Sequence, residues 1–250
     1  MDQRFYPALE SPSVLPRLAA ALLLATSLRG CATYEYEHEI WLRVDGSGSV
    51  RVTGRLPLWR AFKGLGRADD PEGTAAREAA RAAFEASGLH VRRVTVTHRG
   101  GRPYLLVAAD FADVNRIGGT PALPDLRISL ARAGDRLVLS GNWLRPAAAS
   151  RLPAPDDGLM AVRFHLPSRI YEHRNAALGV ERGNILTWRQ DVAAALEGRP
   201  LDFGAVLDSR SILWSTVGLF AAAIVGALAI LAAAIALVAR RGRPSRIEGV

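Results

Sequence analysis

The sequence predicts an α+β fold: an antiparallel, β-hairpin-rich domain with one main packed helix, followed by a single C-terminal apolar helix. Three observations carry this. Short stretches of period-two alternation are separated by glycine-rich turns. One alanine-rich segment has helical spacing with a start and a stop signal. Near the C-terminus, Val217 to Ala239 runs without a charge or a proline.

The elements follow in order. Tyr34, Tyr36, His38, Ile40, Leu42 and Val44 alternate with Glu35, Glu37, Glu39, Trp41 and Arg43, which reads as a strand with one wet face. Asp45-Gly46-Ser47-Gly48-Ser49 is turn chemistry, and Val50 to Leu56 resumes the alternation, completing a hairpin. Pro57 ends the strand pattern, and Leu58 to Leu65 reads as a short helix. Asp70-Pro71-Glu72 supplies a helix cap, a first-turn proline and an acid at the positive dipole end. The helix it predicts reaches Ser87, with Gly88 as its stop, and sets Ala76, Ala79, Ala80, Ala83 and Phe84 on one face. Arg81 and Glu85 fall at pairing distance along it.

Beyond it, Val91 to Arg99 and Pro103 to Ala109 flank Gly100-Gly101, a second hairpin. Asp110 to Ile117 reads as a short helix. Leu126 to Ala131 and Leu137 to Ser140 flank Gly134-Asp135, a third hairpin. Ala147 to Asp157 reads as a surface loop and Leu159 to Leu166 as a strand. Ile185 to Trp188 reads as a strand after a turn, Val192 to Leu196 as a helical turn, and Leu201 to Leu207 as the last strand.

The chain has 250 residues and a formal net charge of +8. Residues 240–250 hold four arginines against Glu248, so the excess in the folded part is modest, and no concentrated basic stripe points to nucleic acid. Lysine occurs once, as Lys63, and arginine carries nearly all the remaining positive charge, a pattern of GC-rich coding. The single cysteine, Cys31, excludes an internal disulfide, a CxxC redox pair and a multi-cysteine zinc site.

Val217 to Ala239 covers roughly 35 Å as a helix, enough to cross a hydrocarbon core of about 30 Å. Arg240, Arg241, Arg243 and Arg246 follow at once and mark the cytoplasmic side. Trp214 stands where an outer interfacial anchor is expected. Gly218, Ala222 and Gly226 repeat at four-residue spacing, which lets two helices approach closely, although alanine is common throughout this helix. At the other end, Leu18 to Leu28 has the length of a signal-peptide apolar core. The acids and prolines before Arg17 place the expected true start later, for example at Val14. Leu28-Arg29-Gly30-Cys31 resembles a lipobox, with Arg29 departing from the small residue usual there. Lipidation of Cys31 is the expectation, and ordinary cleavage nearby or an uncleaved segment are the alternatives. The predicted organisation is a signal peptide over 1–30, an extracytoplasmic domain over 31–210, a transmembrane helix over 211–239 and a basic cytoplasmic tail over 240–250. With an anchor at each end and no long tether, the first and last strands should run antiparallel, both outer ends on the membrane side.

The motifs identify no catalytic residue, no cofactor and no metal site. There is no nucleophile-elbow motif, and Lys63 has neither a phosphate loop before it nor a serine three residues upstream, where Arg60 stands. His38-Glu39 begins like a zinc-protease helix, but Leu42 stands where the second histidine belongs, and His38 reads as a packed histidine on an apolar strand face. Asp45 to Ser49 lacks the repeated acids of a calcium loop. The acids at Asp69, Asp70 and Glu72 are accounted for by capping, and Asp156 and Asp157 have no partner acid that sequence can place.

The opening strand after Cys31 with its Asp45-Gly46-Ser47-Gly48 turn, the strand running into Asp110-Phe111-Ala112-Asp113, and Gly183-Asn184-Ile185-Leu186-Thr187-Trp188 before the membrane together form a recognisable layout. It resembles uncharacterised bacterial envelope lipoproteins with a C-terminal spanning helix, of the mycobacterial LppM-like domain type. The resemblance implies an α+β domain and lipid or glycolipid contact, and transfers no catalytic residue. The expectation is a non-enzymatic protein of the bacterial inner membrane that binds a lipid, a glycan or a membrane partner close to the bilayer. Its expected partners are membrane lipids and a second copy or another membrane protein through the helix, not nucleic acid. A structural subunit of an envelope complex is the alternative, and a hydrolase with a dispersed active site is third. A lipid-loaded cavity favours the first reading, and a solid domain with no cavity sinks its lipid version. A stoichiometric partner lost on swapping the helix favours the second, and a pocket holding a histidine beside a carboxylate favours the third.

Overall fold

Alternation sets the sheets. The computed structural model describes residues 34–147, 154–210 and 212–241. In β1 (Tyr36–Leu42) every second residue is buried, with Tyr36, His38, Ile40 and Leu42 facing inward. β2 (Gly48–Arg55) pairs with it antiparallel across the Asp45–Ser47 turn. Pro57 then opens α1 (Leu56–Lys63), which buries Leu58, Trp59 and Phe62. α2 (Thr74–Ala86) buries Ala76, Ala80 and Phe84 against β3 (His90–Arg99) and β4 (Arg102–Phe111).

α2 begins three residues later than an Asp70 cap predicts, with Gly73 at the N-cap. Asp70 nevertheless caps it from outside, because its carboxylate accepts from the amides of Thr74 and Ala76. Arg81 and Glu85 form the expected pair at 3.5 Å. Gly100 and Gly101 both adopt left-handed φ (56° and 73°), which joins β3 to β4 in a two-residue turn. The helix expected over 110–117 shrinks to a single 3₁₀ turn, Val114–Arg116. Pairing with β2 holds Asp110 and Phe111 in β4, and Asp113 caps the turn.

β5 (Leu126–Ala133) and β6 (Arg136–Trp143) form the third hairpin. β7 (Leu159–His165), β9 (Ile185–Asp191), α3 (Val192–Leu196) and β10 (Leu201–Asp208) lie where the sequence places them. β8 (Ile170–Arg174) is an unpredicted edge strand whose residues are mostly exposed. α4 (Ile212–Arg241) ends the described chain and contains Val217–Val238, a stretch apolar and long enough to cross a membrane.

The strands form two sheets, one ordered β3-β4-β2-β1-β7-β9 and the other β5-β6-β10-β8. All neighbours are antiparallel except β1 and β7, which run parallel in register from Tyr36 and Met160 to Trp41 and His165. The fold is therefore α+β and mostly antiparallel, with one parallel pair that alternation does not announce. The buried core holds Trp59, Phe62, Phe84, Trp143, Phe164, Trp188 and Phe203. Such large rings bring the largest apolar areas into a core and lock one another edge to face. Phe62 meets Tyr36 and Trp143 in this way, at 4.9 and 4.8 Å between ring centres.

The direction of β1 differs from expectation. β7 ends at His165, and four residues on, the carbonyl of Arg169 accepts from the amide of Asp208, the last residue of β10. β1 runs parallel to β7, so its C-terminal end lies at that same end of the molecule. The Val44–Gly46 turn confirms this by lining a recess with Leu130, Arg132 and Leu137, and Leu137 pairs with Leu207. β1 and β10 thus run in the same direction in separate sheets. Tyr34 sits at the end of the domain away from α4, and the expectation that the first and last strands run antiparallel is wrong.

Candidate functional site

Three groups of chemistry-bearing side chains stand out, and burial separates them. The first is sealed in the core. The Lys63 ammonium, at the end of α1, donates to Asp125 Oδ1 (2.7 Å) and to the Ala122 carbonyl (2.8 Å). Asp125 Oδ2 accepts from Trp143 Nε1 (3.0 Å) and the Tyr36 hydroxyl (3.2 Å), and His38 Nε2 lies 3.6 Å away. The side chains of Lys63, Asp125 and His38 have no exposed surface. Burial alone would raise the Asp125 pKa, but Lys63, then His38, overcome it and hold the carboxyl below its ordinary value. Burial pushes His38 down to about 3, so its ring is neutral, and neither nitrogen has a hydrogen-bond partner. The histidine is therefore a core residue, as its strand position indicates. This constellation has the groups of an acid–base site and no opening to a substrate.

The second group covers the outer face of the six-stranded sheet. Glu39 on β1 takes His165 Nε2 on one oxygen (2.8 Å) and Arg51 on the other (3.2 Å). The His165 ring stacks on Trp41 at 4.6 Å and Arg51 lies over the same ring at 4.9 Å, one from each neighbouring strand. Burial alone would raise the Glu39 pKa, but the His165 hydrogen bond and then Arg51 bring it below the ordinary value. For Glu37 burial outweighs Arg163 and raises it. His165 and Glu39 are a histidine and a carboxylate within hydrogen-bond reach, but they lie on a sheet face between cation and ring and line none of the described recesses.

The third group lies where β10 meets α4. The Tyr171 hydroxyl, on β8, donates to Asp208 Oδ2 (2.9 Å), and the guanidinium groups of Arg136 and Arg169 lie 3.4 and 5.2 Å from its ring centre. The amide of Arg210 donates to Asp208 Oδ1 (2.8 Å), and the buried Ser168 hydroxyl donates to the Asp208 carbonyl (2.6 Å). The Arg210 amide, then Tyr171, hold Asp208 below its ordinary pKa, and the same hydrogen bond raises Tyr171. The strand pairing that builds this neck puts Arg136 opposite Asp208 and Ile170 opposite Leu207.

The described recesses, of about 260 to 380 Å³, open to solvent. One lies on the outer face of the four-stranded sheet, floored by Ser140 and Gly204 and bordered by Val138, Val206, Glu172 and Arg174. Between the sheets, the aromatic side chains belong to one buried core cluster.

The residues singled out from sequence do not gather into one site. Gly218, Ala222 and Gly226 lie along exposed positions of α4, and a Cβ added at Gly218 or Gly226 would meet no atom within 4 Å. Arg240 and Arg241 fall in its last turn. Cys31 and Arg243 lie outside the described residues, as do the signal segment and the tail beyond Arg241. Asp157 pairs with Arg55 and Arg102. Sequence reasoning missed Asp125, Tyr171 and the arginines of the neck, because none sits in a motif.

The fold is thus an α+β domain of two sheets that runs directly into an apolar helix long enough to span a membrane. No family model matches the chain, and no curated protein matches it. Among solved structures, the NMR structure of the folded domain of LppM from Mycobacterium tuberculosis is similar at a TM-score of 0.41 and 11% identity, over 71% of this chain and 91% of that one.

Proposed function

We propose that the chain is a non-catalytic, single-pass protein of the bacterial inner membrane. Its extracytoplasmic domain binds a lipid, a glycan or a membrane partner at the bilayer surface, and α4 holds it there. The observation that carries this reading is the neck: β10 ends at Asp208 and α4 begins at Ile212, so the domain has almost no tether. A domain so placed works on what lies at or in the membrane. The sealed Lys63–Asp125 pair offers no group to a substrate, and the aromatic cluster packed between the sheets supports binding on the outer surface, with any lipid held there and not in an internal chamber.

Orientation in this reading comes from Arg240, Arg241 and Arg243 on the cytoplasmic side. Alkaline phosphatase fused after Val250 should be inactive, and green fluorescent protein fused there should be fluorescent. The reverse result contradicts the orientation. For the binding role, intact protein taken out of native membranes in polymer discs should carry a lipid or glycolipid class, or a stoichiometric protein, enriched over bulk membrane. Discs with bulk composition and no companion contradict it.

The uncovered small-residue face of α4 supports a second copy as a partner in this reading. Gly226→Ile should then lower crosslinked dimer in membranes, and unchanged crosslinking argues against helix pairing.

A further inference from the structure

The neck is a gathering of cations at the one place where the domain must meet the membrane. Arg136 and Arg169 come from different segments, the start of β6 and the turn before β8, yet both lie over the Tyr171 ring. Arg210 lies two residues beyond Asp208 on the path to α4. The carboxylates present are engaged: Asp208 takes the Tyr171 hydroxyl and the Arg210 amide, and Asp135, in the β5–β6 turn, lies 3.5 Å from Arg136. Arg169 and Arg210 are exposed; Asp208 feels the charges of Arg136 and Arg210, but no ion pair within 4.0 Å joins Arg169 or Arg210 to a carboxylate among the described residues. The exposed Tyr171 ring fixes the spread of the arginines, and an amphipathic tyrosine suits the headgroup level of a bilayer.

We propose that this neck is a binding site for anionic phospholipid headgroups, with Arg136, Arg169 and Arg210 taking phosphate oxygens around Tyr171. The proposal rests on α4 spanning the membrane. Arginine carries five donors in a planar fork that matches phosphate geometry. The site is continuous with α4, so a headgroup in the same leaflet needs no approach from bulk solvent. Its role is to set the domain upright, with the β8 and β5–β6 turn end down against the lipid.

The test uses the full chain in lipid nanodiscs and phenylglyoxal, which modifies accessible arginine, with modification read by peptide mass. Discs of phosphatidylcholine alone are compared with discs containing phosphatidylglycerol. Arg136, Arg169 and Arg210 should react about fivefold more slowly in the anionic discs, the scale expected for a basic residue at an anionic surface. Arg77, exposed on α2, should react equally in both. Tyr171→Leu should remove the difference, and high salt should reduce it. Equal reaction in the two discs overturns the proposal while α4 insertion stands. Failure of the chain to enter discs overturns both. Equal protection by inorganic phosphate, in phosphatidylcholine discs, overturns the assignment to lipid.

Discussion

Lys63 is the only lysine in a chain that otherwise uses arginine, and it stands where the cation must enter the core. An arginine there would bring five donors to a site that offers two acceptors, the Ala122 carbonyl and Asp125 Oδ1. Breaking a buried pair by removing one partner costs about 3–5 kcal/mol. Lys63→Met should therefore lower the melting temperature by roughly 10 °C for a domain of this size. The deficit should narrow as pH falls, because an Asp125 without its cation takes up a proton in the folded state. The intact domain should behave in the opposite sense. His38 accepts a proton at 6.5 when unfolded and at about 3 when folded, so stability falls as pH drops from 6.5 toward 3, by at most about 5 kcal/mol. Asp125, held below its ordinary pKa, adds a loss in the same direction at the acid end. A denaturant titration across that range checks both, and a flat stability profile contradicts them. This centre was half legible. The lone lysine was visible as an anomaly of composition, whereas Asp125, flanked by Pro124 and Leu126, joins it only through the fold.

Among the elements, Gly54 of β2 shows how tightly the first hairpin closes over this centre. A Cβ there would lie 2.3 Å from the Tyr36 ring, whose hydroxyl holds Asp125. Gly54→Ala should cost about 1–3 kcal/mol by forcing that ring aside, measured as a lower denaturant midpoint with an unchanged slope. An unchanged midpoint contradicts the packing described. The hairpins were legible because alternation and turn glycines are local signals. β8 was not, because Tyr171 to Arg174 are all exposed and leave no buried face to read. The β1–β7 pairing was not legible either, since alternation says which face a strand buries and nothing of its neighbour. That pairing makes β1 run in the same direction as β10 and puts the two termini of the domain at opposite ends of it.

For the whole molecule, the consequence is a domain with α4 at one end and Tyr34 at the other. β10 rises about 3.3 Å per residue from Asp208 back to Leu201, so its far end stands roughly 20 Å from the neck. Cys31 precedes Tyr34 by three residues, a reach of at most about 11 Å. An acyl chain on Cys31 in the same leaflet as α4 therefore requires the domain to lie on its side, while the neck cluster favours the upright pose. One measurement tests whether the neck alone seats the domain upright. In full-length protein carrying Cys31→Ser, a fluorophore is placed on Asp135→Cys in the β5–β6 turn or on Glu197→Cys after α3. Each sample is reconstituted in vesicles with spin-labelled headgroups. Strong quenching at position 135 with little at position 197 is the predicted result. Equal quenching at both, or stronger quenching at 197, contradicts an upright domain seated on its neck.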